Sequence, residues 1–206
     1  SMPQPLTSAA PDAGYFLCNA GDRPVNHNPT LALLAMEGII SWSNVESFLL
    51  GAFIELLGGP ADRATAVYLA LDTQRAKTAA IQAVAKANLA LEHNEILEAI
   101  LKKAKSSQRI RDKLAHWVWG YSPNLPEAFL LADPRVIREA GSKKGIYVFT
   151  ESDFTSLIRS NDQICGYGLR FKFIISGHPA NADERLSCEL CDELGLEDTR
   201  KRLTGT

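Results

Sequence analysis

The chain has 206 residues, of which 46% are hydrophobic and 22% charged, and its formal net charge is −2. That length suits one complete core, or a core with a small appendage, and the composition excludes wholesale disorder. The near-neutral balance excludes a global basic field, so any nucleic-acid site has to be a local patch.

Residues 1–28 are rich in Pro, Asn, Asp and Gly without a lasting period, and read as an irregular N-terminal arm. Asn28-Pro29-Thr30 opens a helix, because proline suits the first turn. That first helix runs to about Leu57 and is stopped by Gly58-Gly59-Pro60. A second helical region covers about 61–89, with Asp72-Thr73 a candidate break and the alanine-rich 79–90 favouring helix. A third helix is predicted from about Glu92 to Trp119, ended by Gly120-Tyr121-Ser122-Pro123. Two short strands follow, Phe129 to Leu131 and Ile146 to Phe149, read as a hairpin around Ser142 to Gly145. Thr150-Glu151-Ser152-Asp153 is a helix start, with a hydroxyl cap and acids in the first turn. The fourth long helix runs to about Ser176. The final stretch is charged, with room for one short helix and a frayed end. The expected fold is therefore all-α. It is a four-helix up-down bundle over 29–178, with a small β-hairpin insertion between helices three and four and a charged tail over 179–206.

No apolar run reaches the roughly 18 residues of a membrane span, and Glu55 interrupts the stretch from Phe48 to Leu57. Met2 reads as the natural start, and no basic segment followed by an apolar core marks a secretory leader. The four cysteines, Cys18, Cys165, Cys188 and Cys191, are too sparse for a disulfide scaffold, which points to a reducing cytoplasm. Cys188-Glu189-Leu190-Cys191 is a lone C-x-x-C. Zinc would need two more ligands, and Cys18, Cys165 and His178 have no supporting spacing. Two ordinary thiols near a helical tail is the simpler reading, so neither metal nor cofactor is expected.

The third helix carries the most distinctive chemistry. Ile100, Ala104, Ser107, Leu114 and Val118 fall on one stripe at helical spacing, and Arg111 falls near its centre. A guanidinium there needs a carboxylate, because an unpaired buried charge costs several kcal/mol. Glu46 is the acid within the apolar arc of helix one, among Ile39, Trp42, Phe53 and Leu57, so a Glu46–Arg111 pair is expected. Asp112 and His116, four apart, share a more polar face with Arg109. Trp117, Trp119 and Tyr121 follow, either as core packing or as rings for stacking bases. Read on its own, Arg111 is as well explained by a structural ion pair as by catalysis, and His116 by a helix-end dipole partner.

The run Arg111-Asp112-Lys113-Leu114-Ala115-His116 resembles the HEPN superfamily, whose pattern is Arg, a polar residue, three residues, then His on a late helix of a bundle. It also resembles the Arg-Asn-x-x-Ala-His run of many uncharacterised bacterial proteins, which share an early tryptophan and glutamate, matched here by Trp42 and Glu46. The resemblance covers about 30–176. It implies a metal-independent endoribonuclease that leaves 2′,3′-cyclic phosphate ends, often within toxin–antitoxin or antiviral defence systems. Arg111, Asp112 and His116 would be catalytic, with His116 the general acid or base, Arg111 opposing charge on the phosphorane and Asp112 orienting the site. Arg109, Lys113, Trp117 and Tyr121 are the candidate RNA contacts, with Arg135 a further lining residue. On an ideal helix Arg111 lies about 140° from His116. Convergence on one phosphate then needs a homodimer or a distorted helix end. An antitoxin or regulatory protein is a further expected partner. Some HEPN-like domains serve instead as non-catalytic interaction or scaffold modules.

Overall fold

The computed structural model describes residues 3–17, 23–135, 142–176 and 180–205, with only the backbone for 180–183. Among these the chain is mainly helical, with one small antiparallel sheet. The helices are α1 (Leu6–Ala9), α2 (Pro29–Leu57), α3 (Ala61–Leu69), α4 (Gln74–Asn88), α5 (Leu91–His116), α6 (Glu151–Ile175), α7 (Ala180–Leu194) and α8 (Glu197–Thr204). The strands are β1 (Gln4–Pro5), β2 (Phe16–Leu17), β3 (Val118–Tyr121), β4 (Ala128–Ala132) and β5 (Ile146–Thr150).

Local chemistry accounts for the helix boundaries. Asn28 Oδ1 accepts from Leu31 N–H at 3.0 Å and caps α2. Gly58 and Gly59 end it, with φ of 68° and 88° that other residues rarely adopt. Thr73 Oγ1 accepts from Ala76 N–H at 3.1 Å, so the expected break at Asp72-Thr73 is the cap of α4. At the start of α6, Asp153 Oδ2 accepts from both the Thr150 amide, at 2.9 Å, and its hydroxyl, at 2.8 Å. This is an aspartate version of a capping box.

The chain divides into two compact units, one formed by 1–42 and 106–161, the other by 43–105 and 162–206. The first holds the sheet, in the order β1-β5-β4-β3-β2, every neighbouring pair antiparallel. The register sets Phe129 opposite Phe149, and Leu131 between Tyr147 and Trp119. Both faces of β4 are covered, which explains its unbroken apolar run Ala-Phe-Leu-Leu-Ala. One face packs Phe129, Leu131 and Phe149 against Leu31 and Ala35 of α2, Leu114 of α5, and Phe154 and Leu157 of α6. The other packs Leu130, Ile146 and Val148 against Leu6 and Ala13.

The hairpin expected between two strands is thus the centre of a five-stranded sheet. Residues 1–28, expected to be irregular, supply both of its edges. Leu6 is fully buried, Tyr15 Oη donates to the Ser142 carbonyl at 3.2 Å, and Lys143 Nζ donates to the Pro11 carbonyl. The α2, α5 and α6 portions of this unit meet at a buried polar knot. Ser107 Oγ donates to Asn161 Oδ1, and Asn161 Nδ2 donates to Ser41 Oγ at 2.8 Å and to the Gly38 carbonyl at 3.3 Å.

In the second unit the stretch expected to fray forms α7 and α8, with Ser187, Leu190, Cys191 and Thr199 buried. Charge anchors it. Arg170 holds Glu193, Arg200 lies 2.8 Å from Asp192, and Arg202 pairs with Glu92 and Glu95. Asn88 Nδ2 donates to the Leu56 carbonyl at 2.9 Å, and Gln82 Nε2 donates to both carboxylate oxygens of Glu98. Burial pushes the Cys191 thiol up to about 11, with the neighbouring Cys188 adding to the effect. Among the described residues no group of three or more His, Cys, Asp or Glu side chains is placed to hold a metal ion, and Cys18 and His178 lie outside them. The expectation that no stretch reaches the length and apolarity of a span is overturned by α2, which passes by length and composition, because such a stretch tolerates a few polar residues; the buried core helix of a soluble protein passes the same test.

Replacing Asn161 by Leu strands the Ser107 hydroxyl and removes the donor to Ser41. Urea unfolding of this variant is expected to show a loss of about 2 kcal/mol. Asp153→Ala, which removes the acceptor for the Thr150 amide and hydroxyl, is expected to cost about 1 kcal/mol in the same assay.

Candidate functional site

Every nominated residue except Glu46 lies in the first unit; Arg109, Arg111, Asp112, Lys113, His116 and Trp117 cluster where α5 gives way to β3, whereas Tyr121 ends β3 and Arg135 follows β4. The helix ends at His116, three residues earlier than the apolar periodicity predicts. Val118 and Trp119 therefore belong to a strand, where β-branched and aromatic side chains fit the pleat. Trp119 turns back over the helix end. Its Nε1 donates to the Leu114 carbonyl at 2.9 Å, one of the acceptors that every helix C-terminus leaves unpaired. Its ring meets Phe129 edge-on, with centroids 5.4 Å apart. This tryptophan is core, not a surface for bases.

His116 is exposed at the last position of α5. One turn earlier, Arg111 Nη1 lies 3.0 Å from Asp112 Oδ1, with side-chain exposures of 25% and 41%. The guanidinium also sits 6.0 Å from the centre of the Trp42 ring. Trp42 is itself buried, and its Nε1 has no hydrogen-bond partner. Arg111 is thus half-buried on the side that periodicity assigned it, and it engages the adjacent Asp112, placed by sequence on a different face with His116. Glu46 belongs to the second unit. There, burial pushes the Tyr68 phenol up to about 12, and the Glu46 carboxylate adds to the rise.

Lys113 lies over two aromatic rings. Its Nζ stands 4.8 Å from the Trp117 ring centre and 4.6 Å from that of Tyr147, and those rings lie 5.6 Å apart. Burial lowers the ammonium's pKa, and Asp133 opposes that shift. Asp133 is itself held near 2, chiefly by hydrogen bonds from Arg135, whose Nη2 is 2.6 Å away. Arg135 is therefore paired with Asp133 at an exposed position and keeps its charge. Arg109 is exposed on α5.

Tyr121 stands apart from this group, at the far end of β3. It stacks on His27 with centroids 3.6 Å apart and planes 17° from parallel. Phe16 stacks at 5.3 Å and 21°. Sequence reasoning missed both, because a two-residue strand and a single 3₁₀ turn carry no periodicity. The aromatic and histidine content of the supposed arm was the signal available. Compared with known proteins, the chain matches no family model, no curated protein and no solved structure.

The Lys113 ammonium is less favoured in the folded chain than in the unfolded one, so the folded state binds fewer protons below the ordinary lysine pKa. Its burial penalty at neutral pH should fade as pH rises towards that value, and stability from this group should rise with it. Lys113→Met is expected to melt no lower than wild type at pH 7 and to lack this alkaline gain. Paired thermal melts at pH 7 and pH 10 check both outcomes.

Proposed function

We propose that this chain is a metal-independent endoribonuclease of the HEPN type. In this reading it is a toxin or defence-associated enzyme that acts in the cytoplasm on single-stranded RNA as a homodimer, with its long helices forming the four-helix up-down bundle of that superfamily. The observation that carries the reading is an exposed imidazole at the terminus of α5, one turn beyond an arginine–aspartate pair. An imidazole near neutrality can take or give a proton without a large driving-force penalty.

The reaction is an internal transesterification. His116 of one chain takes the proton of the ribose 2′-hydroxyl, and that oxygen bonds to phosphorus. The bond from phosphorus to the 5′-oxygen breaks, and the imidazolium of His116 in the second chain protonates the leaving oxygen. The products are a 2′,3′-cyclic phosphate and a 5′-hydroxyl. Arg111 opposes the charge that builds on the phosphorane, which requires substrate phosphate to compete with Asp112 for the guanidinium. Asp112 then has two tasks. It holds Arg111 in place when RNA is absent, and it orients the site when RNA is bound.

A second reading has its own support. The Asp112 pairing and the Trp42 contact already satisfy much of Arg111, as expected of a non-catalytic helical interaction module in which Arg111 has a structural role.

One experiment separates the two. Purified protein is expected to cleave single-stranded RNA in EDTA, and His116→Ala to reduce the rate by 10²-fold or more (about 10²–10⁴ for general acid–base groups). Unchanged cleavage in that variant, or none in the wild type, overturns the ribonuclease. Loss of thermal stability in Arg111→Ala with no RNA cleavage by wild type supports the interaction module.

A further inference from the structure

The near-parallel rings of Phe16, Tyr121 and His27 are supplied by three separate segments: strand β2, the end of β3, and the turn that follows the 3₁₀ residues Pro24–Asn26. Each segment is fixed independently of the rings. Phe16 is in register opposite Tyr121, and Gly120 permits that approach, since a Cβ there would fall 2.4 Å from the Phe16 carbonyl oxygen. Ser122 Oγ donates to the Gly14 carbonyl at 2.5 Å, and Gly14 N–H donates to Asn124 Oδ1 at 2.9 Å. On the other side His27 N–H donates to the Pro24 carbonyl at 3.0 Å, and Asn28 Nδ2 donates to the Pro126 carbonyl at 3.2 Å. The stack is therefore built before any ligand arrives.

Its outer members are open to solvent. Phe16 is 49% exposed and His27 is exposed, whereas Phe129, Phe149, Phe154 and Phe171 are fully buried. Exposed rings in parallel register suit a further flat π-system at either end of the stack, and every nucleobase has one. The charge nearby does not favour a binding mode driven by phosphate alone. Arg111 is engaged by Asp112, Arg135 by Asp133, and Lys113 lies over rings. Position favours RNA as the ligand. Tyr121 is five residues beyond His116 along an extended strand, a reach of roughly 17 Å at most. A single strand lying along β3 can meet both.

We propose that Phe16, Tyr121 and His27 form a stacking platform for an unpaired base of single-stranded RNA, a few nucleotides from the phosphate presented to His116. The choice of RNA and the location relative to the scissile bond rest on the ribonuclease reading; the stacking of a flat base on the rings does not.

The test uses the full chain and a short single-stranded RNA in which one base is 2-aminopurine, scanned through each position. Fluorescence quenching is followed on wild type, His116→Ala, Phe16→Leu, Phe16→Trp and His27→Leu, and cleavage of the same RNA in EDTA is followed on wild type. Quenching at one position is expected for wild type and His116→Ala. Affinity is expected to fall about tenfold in Phe16→Leu and His27→Leu, and to be retained in Phe16→Trp, which keeps a ring at the edge. Circular dichroism confirms that each variant is folded. Quenching that is unchanged in both leucine variants, or absent while RNA is cleaved, overturns the platform and leaves the ribonuclease standing. Position-specific quenching that needs the rings, with no cleavage by wild type, supports the platform and overturns the ribonuclease. A folded Phe16→Trp that binds no better than Phe16→Leu also overturns it.

Discussion

The hydrogen bond from Trp119 Nε1 to the Leu114 carbonyl fixes where the chain stops being helix. A helix end leaves its last carbonyls without partners, and a buried one has to find donors. Here the donor is on the strand that follows, so the turn from α5 to β3 and the packing of Trp119 on Phe129 form together. That places His116 on the last helical residue, exposed, instead of inside a continuing helix. It also sends Tyr121 away from His116 along an extended path, where a continuing helix would have advanced it only about 7.5 Å along the axis and onto another face. The functional geometry of the first unit follows from this one switch of backbone state.

The sheet that receives β3 depends in turn on chain from the N-terminus. Strand β4 is apolar on both faces, which is stable only when both faces are covered. Helical side chains cover one face, and Leu6 and Ala13 cover the other. The short strands β1 and β2 then satisfy the outer edges, through pairs as brief as Gln4 with Val148 and Phe16 with Tyr121. The same residues that close the sheet thus bring Phe16 and His27 to Tyr121, so closing the fold and assembling the ring stack are one event.

What was legible in the sequence follows from the length over which a pattern repeats. Pro29–Leu57, the break before Gln74 and the start of α6 at Glu151 are readable from proline, paired glycines and hydroxyl caps, each of which acts locally. The end of α5 is not, because Leu114 and Val118 are four apart and satisfy a helical period as well as a helix followed by a strand. The edge strands are too short to show alternation, and the fate of a two-residue strand is set by partners more than a hundred positions away. Helices α7 and α8 look like a solvated tail because their charges are numerous, yet those charges pair specifically: Arg202 with Glu92 and Glu95, Arg200 with Asp192. For the site, periodicity turned Arg111 inward and left His116 outward. It could not anticipate that Asp112 would reach round the helix to meet the guanidinium.

That pairing alters how the site would have to meet RNA. A surface rich in uncommitted cations gains affinity by releasing counterions, and loses it steeply as salt rises. In this unit Arg111 and Arg135 each face a carboxylate, and Lys113 spends its charge on Trp117 and Tyr147 at the cost of partial desolvation. Phosphate gains little from cations that must first leave a carboxylate, since one charge-assisted hydrogen bond is exchanged for another of similar kind. The exchange becomes favourable where phosphate acquires the extra charge of a phosphorane, which is the distinction between binding a substrate and binding its transition state. In the proposed ribonuclease, ground-state affinity would then come from a less charge-dependent source, and the exposed ring stack at the other end of β3 would be a source of that kind. In that enzyme, committed charge near the imidazole and the exposed ring stack beyond it would be complementary parts, with stacking holding the strand and Arg111 engaging only as charge builds on phosphorus.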